Sequence, residues 1–354
     1  MIVHQWLPAA HRGDAVGDNA RVMRDLFRQW GHTSEIYALT IDGDLESEIR
    51  PWHDGEGRNA DMTILHFAVP SPMSRAFATL AGIRVLHYHN VTPAHFFAPF
   101  DAGICRMAAE GRRELAMLAD RTDIALGVSE YNRQELVDAG FDQTGVLPIV
   151  VDTARLTKAR TVPALESLLQ DGLANILFVG RIAPNKKIED HIRLAEQYKR
   201  YVDIYYRFIF VGNYNAVPSY YATVRALIAE YKMLPDRFWF TGPVPDEELA
   251  AYYRNAHAYV SLSEHEGFCV PLVEAMAMDV PVLAYGAAAV PETLGGAGVS
   301  FAPKDLELAA EWLGALVYDE PLRRQVIAGQ RRRLADFSLD RLAPHLQSLL
   351  AAVA

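Results

Sequence analysis

The stretch Ala258-Tyr-Val-Ser-Leu-Ser-Glu-His-Glu-Gly-Phe-Cys-Val-Pro-Leu-Val-Glu274 decides the fold. A short apolar run, Ala258–Leu262, reads as a strand buried on both faces. A polar loop holding Gly267 follows, and Pro271 then stands where a first helical turn tolerates a missing N–H. A buried strand running straight into a helix is the repeating unit of a parallel sheet covered on both sides.

The same unit recurs on either side of this stretch. Downstream, Pro271–Met278 reads as a helix and Val280–Tyr285 as a strand. Upstream, strands are expected at Asn175–Val179, Tyr205–Val211 and Phe238–Thr241, with helices at Glu189–Tyr201, Ser219–Lys232 and Glu247–Asn255. Before residue 152 the alternation runs through strands Ile2–Trp6, Glu35–Leu39, Met62–Phe67, Arg84–Tyr88, Ile124–Val128 and Gly145–Val150. Helical patterns there are Ala20–Trp30, Glu110–Leu118 and Tyr131–Ala139. The segment Asp152–Gly172 interrupts the pattern, and helical stretches Leu306–Tyr318, Pro321–Phe337 and Leu339–Val353 finish the chain. This reads as two Rossmann-like α/β domains, one over 1–160 and one over 170–338, with the final helix near 339–354 packing back on the first.

Composition agrees with that reading. The chain has 354 residues, 51% hydrophobic and 22% charged, with a formal net charge of −10. That length suits two domains at roughly 150 residues each. The acidic balance argues against nucleic-acid binding, which needs a basic footprint. Cys105 and Cys269 are the only two cysteines and form no C-x-x-C motif, so neither a disulfide framework nor a cysteine metal site is indicated. No apolar run approaches the roughly 18 residues of a spanning helix, and Met1-Ile-Val-His lacks a leader's basic region. A cytoplasmic location is the expectation.

In such folds ligands sit beyond the carboxyl ends of the strands. After Ala258–Leu262, Gly267 permits close backbone approach, and the amides that open the next helix form an anion site. Glu266 and Glu274 bracket it. Carboxylates beside a phosphate site make sense if they accept hydrogen bonds from hydroxyls, as at a dinucleotide ribose; an acidic first turn favouring the helix dipole is the plainer alternative. After Asn175–Val179 comes Gly180-Arg181-Ile-Ala-Pro-Asn-Lys186. Arginine grips phosphate bidentately and lysine adds a mobile charge, so the pair suits a diphosphate held without metal.

Gly-Arg-x4-Lys at 180–186, Phe240-Thr-Gly-Pro-Val244, the Glu266…Glu274 pair, Asp279-Val-Pro-Val-Leu-Ala-Tyr-Gly286 and Pro291-Glu-Thr-Leu-Gly-Gly-Ala-Gly298 stand in the order found in family-4 glycosyltransferases. The chain resembles a retaining member of that family, strongly over roughly 175–301. The resemblance implies the GT-B architecture, two Rossmann-like domains facing each other across a cleft. It implies that Arg181 and Lys186 hold the donor diphosphate and that Glu266 binds the sugar hydroxyls. The amides of Gly267, Phe268, Cys269 and Val270 would contact sugar and phosphate, Gly180 would shape the turn, Glu274 would bind the ribose, and Val244 would touch the base. No metal or cofactor is implied beyond the nucleotide-sugar co-substrate.

The first half matches in pattern. Gly13 and Gly17 follow the first strand, where the family carries a glycine loop, and Asp18 is placed to cap the next helix. The family's adjacent glycines are absent, and so is G-x-G-x-x-G. His89 matches the family histidine that contacts the donor sugar, while His87 is expected on the opposite side of its strand. Ser129 has an acceptor-side or a capping role. Leu147-Pro-Ile-Val-Val-Asp152 resembles the family's Pro-Asn-Gly-Val-Asp turn, with Ile149 and Val150 in place of Asn and Gly.

Asp42-Gly-Asp44 and His53-Asp54 read as surface turns rather than metal sites. The helix bearing Arg21, Arg24 and Arg28 reads as an ordinary packed helix, with peripheral membrane contact as the less favoured alternative. Phe96, Phe97 and Phe100 line an apolar acceptor channel or fill the core. The function expected is a metal-independent hexosyltransferase that moves a sugar from GDP-mannose or a UDP-hexose to a hydroxyl acceptor in glycoconjugate synthesis. A GT-B nucleotide-sugar epimerase and a non-catalytic nucleotide-sugar binding protein are the alternatives.

Overall fold

The computed structural model describes residues 1–11, 13–53 and 55–351; Asp54, named in the His53-Asp54 turn above, lies outside them, as does Arg12, which precedes Gly13. The first unit comprises Met1–His95, Ala102–Val151 and the stretch from Asp336; the second comprises Phe96–Asp101 and Asp152–Ala335.

Seven parallel strands form the first sheet: β1 Val3–Ala10, β2 Ile36–Ile41, β3 Arg50–Pro51, β4 Met62–Phe67, β5 Ile83–Tyr88, β6 Ile124–Gly127 and β7 Thr144–Val146. Their order is β3-β2-β1-β4-β5-β6-β7, so the winding reverses between β1 and β4. β4 is buried along its whole length, which is why it carries no polar alternation. The helix Ala15–Gln29 lays Met23, Leu26 and Phe27 on this sheet, against Val3, Met62, Ile64 and Val85. Leu346 and Leu350 of the helix Leu339–Ala351 complete the same cluster.

Six parallel strands form the second sheet: β8 Ala174–Val179, β9 Tyr206–Val211, β10 Phe238–Gly242, β11 Ala258–Ser261, β12 Val282–Tyr285 and β13 Val299–Phe301. Their order is β10-β9-β8-β11-β12-β13, reversing between β8 and β11. The interrupting segment 152–172 holds two short helices, Ala154–Thr157 and Pro163–Leu169. Leu156 and Leu169 enter this unit's core beside Leu177, Tyr253 and Tyr259.

Two expectations are corrected. The cap of the helix Ala15–Gln29 is Asp14, whose carboxylate accepts from the Val16 amide, while Asp18 lies within the first turn and pairs with Arg21 at 2.6 Å. The edge strands β3 and β13 were not anticipated, being too short to show a pattern of their own. The arginines of that helix face carboxylates: Arg21 meets Asp18, Arg24 meets Asp25 and Arg28 meets Glu35.

Candidate active site

In a doubly wound sheet the binding position lies where strand order reverses. In the second unit the two flanking loops are those leaving β8 and β11, and they carry both decisive motifs.

After β8 the chain must turn sharply. Gly180 sits at φ +151, and its amide donates to Val211 at 2.8 Å. Gly212 faces it so closely that a Cβ there would stand 2.3 Å from the Gly180 carbonyl oxygen. Ile182 and Ala183 are buried and anchor the loop, leaving Arg181 exposed. Pro184–Lys186 form a single 3-10 turn, and Lys187, at φ +52, begins the helix Ile188–Tyr201.

The loop after β11 is held from several sides. Asn185 accepts from the Glu264 amide at 2.9 Å and donates to the His265 carbonyl at 3.1 Å, tying the two loops together. Lys304 donates to the Leu262 carbonyl at 3.0 Å and to the Glu264 carboxylate at 2.9 Å. Thr293 donates to the Phe268 carbonyl at 2.6 Å, and the Ala289 amide to that of Glu266 at 3.3 Å. Phe96 lies against the His265 ring, with centroids 6.2 Å apart. Gly267, Phe268 and Cys269 lead into the helix Val270–Ala277, whose first amides lack acceptors within the helix. Cys269 adopts φ +69, a conformation a non-glycine residue holds at a cost of about 1–3 kcal/mol. Burial pushes its thiol well above the usual range, so the side chain packs rather than reacts.

Between these loops Lys186 Nζ donates to both oxygens of Glu266, at 2.6 and 2.7 Å. Glu274 is 3% exposed and fully engaged: Arg155 holds one oxygen and the Tyr253 hydroxyl donates to the other at 3.0 Å. Burial raises its pKa, with Arg155 and Tyr253 pulling the other way. The same Arg155 guanidinium also pairs with Asp246, two residues beyond Val244. Val244, with Trp239, Thr241, Glu248 and Tyr252, lines a cavity of about 410 Å³.

In the first unit, Gly13 at φ +72 sits in the turn after β1, and Gly17 lies inside the helix, where a Cβ would stand 3.8 Å from the Ala10 Cα. Ser129 is buried and caps the helix Glu130–Asp138, accepting from the Asn132 amide at 3.2 Å. Asp42 accepts from His11 at 2.8 Å.

His89 is less isolated than expected. His87 does not point to the far side: residues two apart on a strand share a face, and the two rings stand 4.3 Å apart. His66, paired with His87 across β4 and β5, joins them, so the three rings each bring one nitrogen within 4.8 Å of the others. All three have pKa values lowered mainly by burial, His87 to about 4. His87 Nε2–H donates to the Leu147 carbonyl at 3.0 Å. Nδ1 of His87 and Nδ1 of His89 are buried without a partner. An unmet buried polar atom costs about 1–3 kcal/mol, so such atoms mark places a ligand can improve.

Arg181, Lys186, Glu266, Glu274, Gly180, Val244 and Gly267–Val270 thus all lie in the second unit, and His89, Gly13, Gly17 and Ser129 in the first. Sequence reasoning missed Asn185, Lys304, Arg155 and His66. Only Asn185 carried a signal, a polar turn residue between proline and lysine.

Residues 166–333 match the family model described as Glycosyl transferases group 1. That match lies within the second unit and covers just under half of the chain. The chain is 25% identical over 224 residues to the O-antigen chain mannosyltransferase B of Escherichia coli, a match covering 62% of this chain and 58% of that protein. It is 29% identical over 246 residues to the GDP-mannose-dependent alpha-mannosyltransferase of Mycolicibacterium smegmatis, covering 66% and 59%. The matches therefore span somewhat more than half the length of these two relatives. The fold is shared with the Anabaena protein Alr3699/HepE, solved in complex with UDP-glucose. Its TM-score is 0.77 at 16% identity, with 99% of this chain and 100% of that one covered. The two parallel α/β units, shared with solved structures of GT-B type, agree with the fold expected from the sequence. No helix among the described residues is long and apolar enough to cross a membrane.

Proposed function

We propose that the protein is a retaining, metal-independent mannosyltransferase using GDP-mannose and a hydroxyl acceptor in polysaccharide or glycoconjugate synthesis. The observation that carries this reading is the Lys186–Glu266 pair between the loops leaving β8 and β11, with the exposed Arg181 in the same loop as Lys186. A cation and a carboxylate that neutralise each other are the two groups a sugar diphosphate needs apart. On donor binding Lys186 exchanges Glu266 for a phosphate oxygen, and Arg181 adds a bidentate grip. Glu266, released, accepts hydrogen bonds from sugar hydroxyls, and the amides of Gly267–Val270 face the same anion.

In the transfer, the bond between C1 of the sugar and the diphosphate oxygen breaks while the acceptor oxygen attacks C1 from the same face. The acceptor's proton passes to the departing phosphate oxygen, and the anomeric configuration is kept. Arg181 and Lys186 stabilise the charge that develops on the leaving group, the kind of contact worth about 10²–10³ in rate.

Guanine is favoured over uracil by the carboxylate of Glu248, which lines the same cavity as Val244. Guanine offers two adjacent donors that a carboxylate accepts together, whereas uracil sets one donor between two carbonyls. The named mannosyltransferase relatives support the sugar. They are transferases, which leaves the epimerase and binding-only alternatives without comparable support.

A thermal-shift panel of GDP, UDP, ADP, CDP, TDP and their sugars, run in EDTA and again in magnesium, tests the donor. A ligand at 100 times its Kd stabilises by about 2.7 kcal/mol. Selective stabilisation by GDP and GDP-mannose in EDTA is expected. Stabilisation by UDP alone, or only with magnesium, would overturn the donor or the metal-independent part.

A further inference from the structure

We propose that Gln5 and His66 are positioning residues for His89: a one-way chain of hydrogen bonds keeps the His89 proton on Nε2 and leaves Nδ1 bare, as an acceptor for a hydroxyl of the bound sugar. The proposal rests on reading His89 as a donor-sugar contact, and its geometry lies wholly within the first unit.

The direction of the chain follows from what each atom can do. Gln5, fully buried on β1, sends its side-chain amide nitrogen to the Ala20 carbonyl at 2.9 Å. A carbonyl only accepts, so the NH2 end must face Ala20 and Oε1 must face His66. His66 Nε2 lies 2.9 Å from that oxygen and therefore carries the proton. His66 is fully buried on β4, an environment that favours the neutral ring, so its Nδ1 is a lone pair. His89 Nε2 stands 2.9 Å from that lone pair and must supply the proton. With His89 neutral, Nδ1 has none, and it is one of the buried atoms lacking a partner. A backbone carbonyl on the first helix thus sets the tautomer of a ring two strands away. An imidazole so fixed can accept from a hydroxyl and cannot donate to a phosphate, which assigns it to the sugar rather than the diphosphate.

The three rings also invite a metal reading, because His66 and His87 have their Nε2–H groups held by oxygen acceptors as metal ligands do. The His66–His89 spacing speaks for the chain. Two nitrogens on one tetrahedral ion lie roughly 3.3 Å apart, given zinc–nitrogen bonds of about 2.0–2.1 Å. The observed 2.9 Å is that of an N–H···N hydrogen bond.

The test uses the full chain carrying 15N-histidine and two-bond proton–nitrogen correlation, which separates protonated from bare ring nitrogens. Assignment comes from His89→Ala and His87→Ala. In the unsubstituted protein near neutral pH, His66 and His89 should both be protonated on Nε2 alone. Gln5→Met, which removes the acceptor at similar length, should populate both tautomers at His89 and lower kcat/KM for the donor on the order of tenfold. A His89 protonated on Nδ1 in the unsubstituted protein overturns the proposal, and that spectrum decides even if the variant fails to fold. Unchanged tautomers in folded Gln5→Met also overturn it. So does a visible Co²⁺ absorption band that His66→Phe abolishes, which would give the nitrogens to a metal. The spectrum needs no substrate: a protein with the expected tautomers but no transferase activity sinks the functional reading alone, and an active transferase with mixed tautomers sinks only the chain.

Discussion

Lys186 closes on Glu266 with one hydrogen bond to each carboxylate oxygen, at 2.6 and 2.7 Å, in a pair whose side chains are 18% and 8% exposed. The two groups that the donor would engage separately are therefore stored against each other. This distinguishes Lys186 from Arg181, which is exposed. Arg181→Ala should cut turnover on the order of 10²–10³ while leaving the melting temperature unchanged. Lys186→Ala should lose comparable turnover and also destabilise by about 3 kcal/mol, because Glu266 is left buried without its partner. Turnover and thermal melts on both variants check this, and equal melting temperatures would show that the pair adds nothing to stability.

Glu248, in the cavity lined by Val244, gives a prediction about the base. Glu248→Gln keeps the shape but exchanges one carboxylate oxygen for a donor, so it can no longer accept twice. Affinity for GDP should fall by about tenfold or more, the scale of a hydrogen bond to a charged group, with UDP binding unaffected. Calorimetric titration of both nucleotides into both proteins measures it; a parallel loss for the two bases would place Glu248 away from the base.

Two buried histidines make stability depend on pH. His87 and His191 are each lowered to about 4, chiefly by burial. In the unfolded chain they titrate near 6.5. Between those values the unfolded state binds more protons, so stability is present above pH 6.5 and is lost as pH falls toward 4. The loss between pH 7 and pH 5 should be about 2 kcal/mol for each. Denaturant unfolding at the two pH values checks it, and His191→Gln should flatten the slope.

Gly212 supplies a steric prediction. Gly212→Ala places a methyl group 2.3 Å from the Gly180 oxygen at φ +136, and neither strand end can retreat without moving the Arg181 loop. A loss of about 2–4 kcal/mol is expected, with weakened nucleotide binding. A melting temperature equal to that of the unsubstituted protein would mean that the loop is free to shift.

The frame of this molecule was legible because its interior strands are apolar on both faces: β4, β8, β9 and β11 each announce themselves in four to six residues. The edges were not, since Arg50–Pro51 has too few residues to show a period. Motif order singled out Arg181, Lys186 and Glu266, each within seven residues after a strand end, and Glu274 on the helix that follows β11. Arg155 stayed hidden for the opposite reason, as its contact with Glu274 spans 119 residues of chain. His66 was passed over because nothing in Thr-Ile-Leu-His-Phe marks a site; only the pairing of β4 with β5 brings it to His87. His87 and His89 share a face rather than opposing each other, since alternation puts residues two apart together.

The helix Leu339–Ala351 finishes a core that begins at Val3. Almost the whole second unit is therefore spelled out between the first unit's β7 and its last helix. On the ribosome the second unit can close its own sheet while the first still waits for Leu346 and Leu350. Until they emerge, Val3, Met23 and Phe27 have a face with no cover, and nascent chains stalled before residue 339 should be the ones that chaperones hold longest.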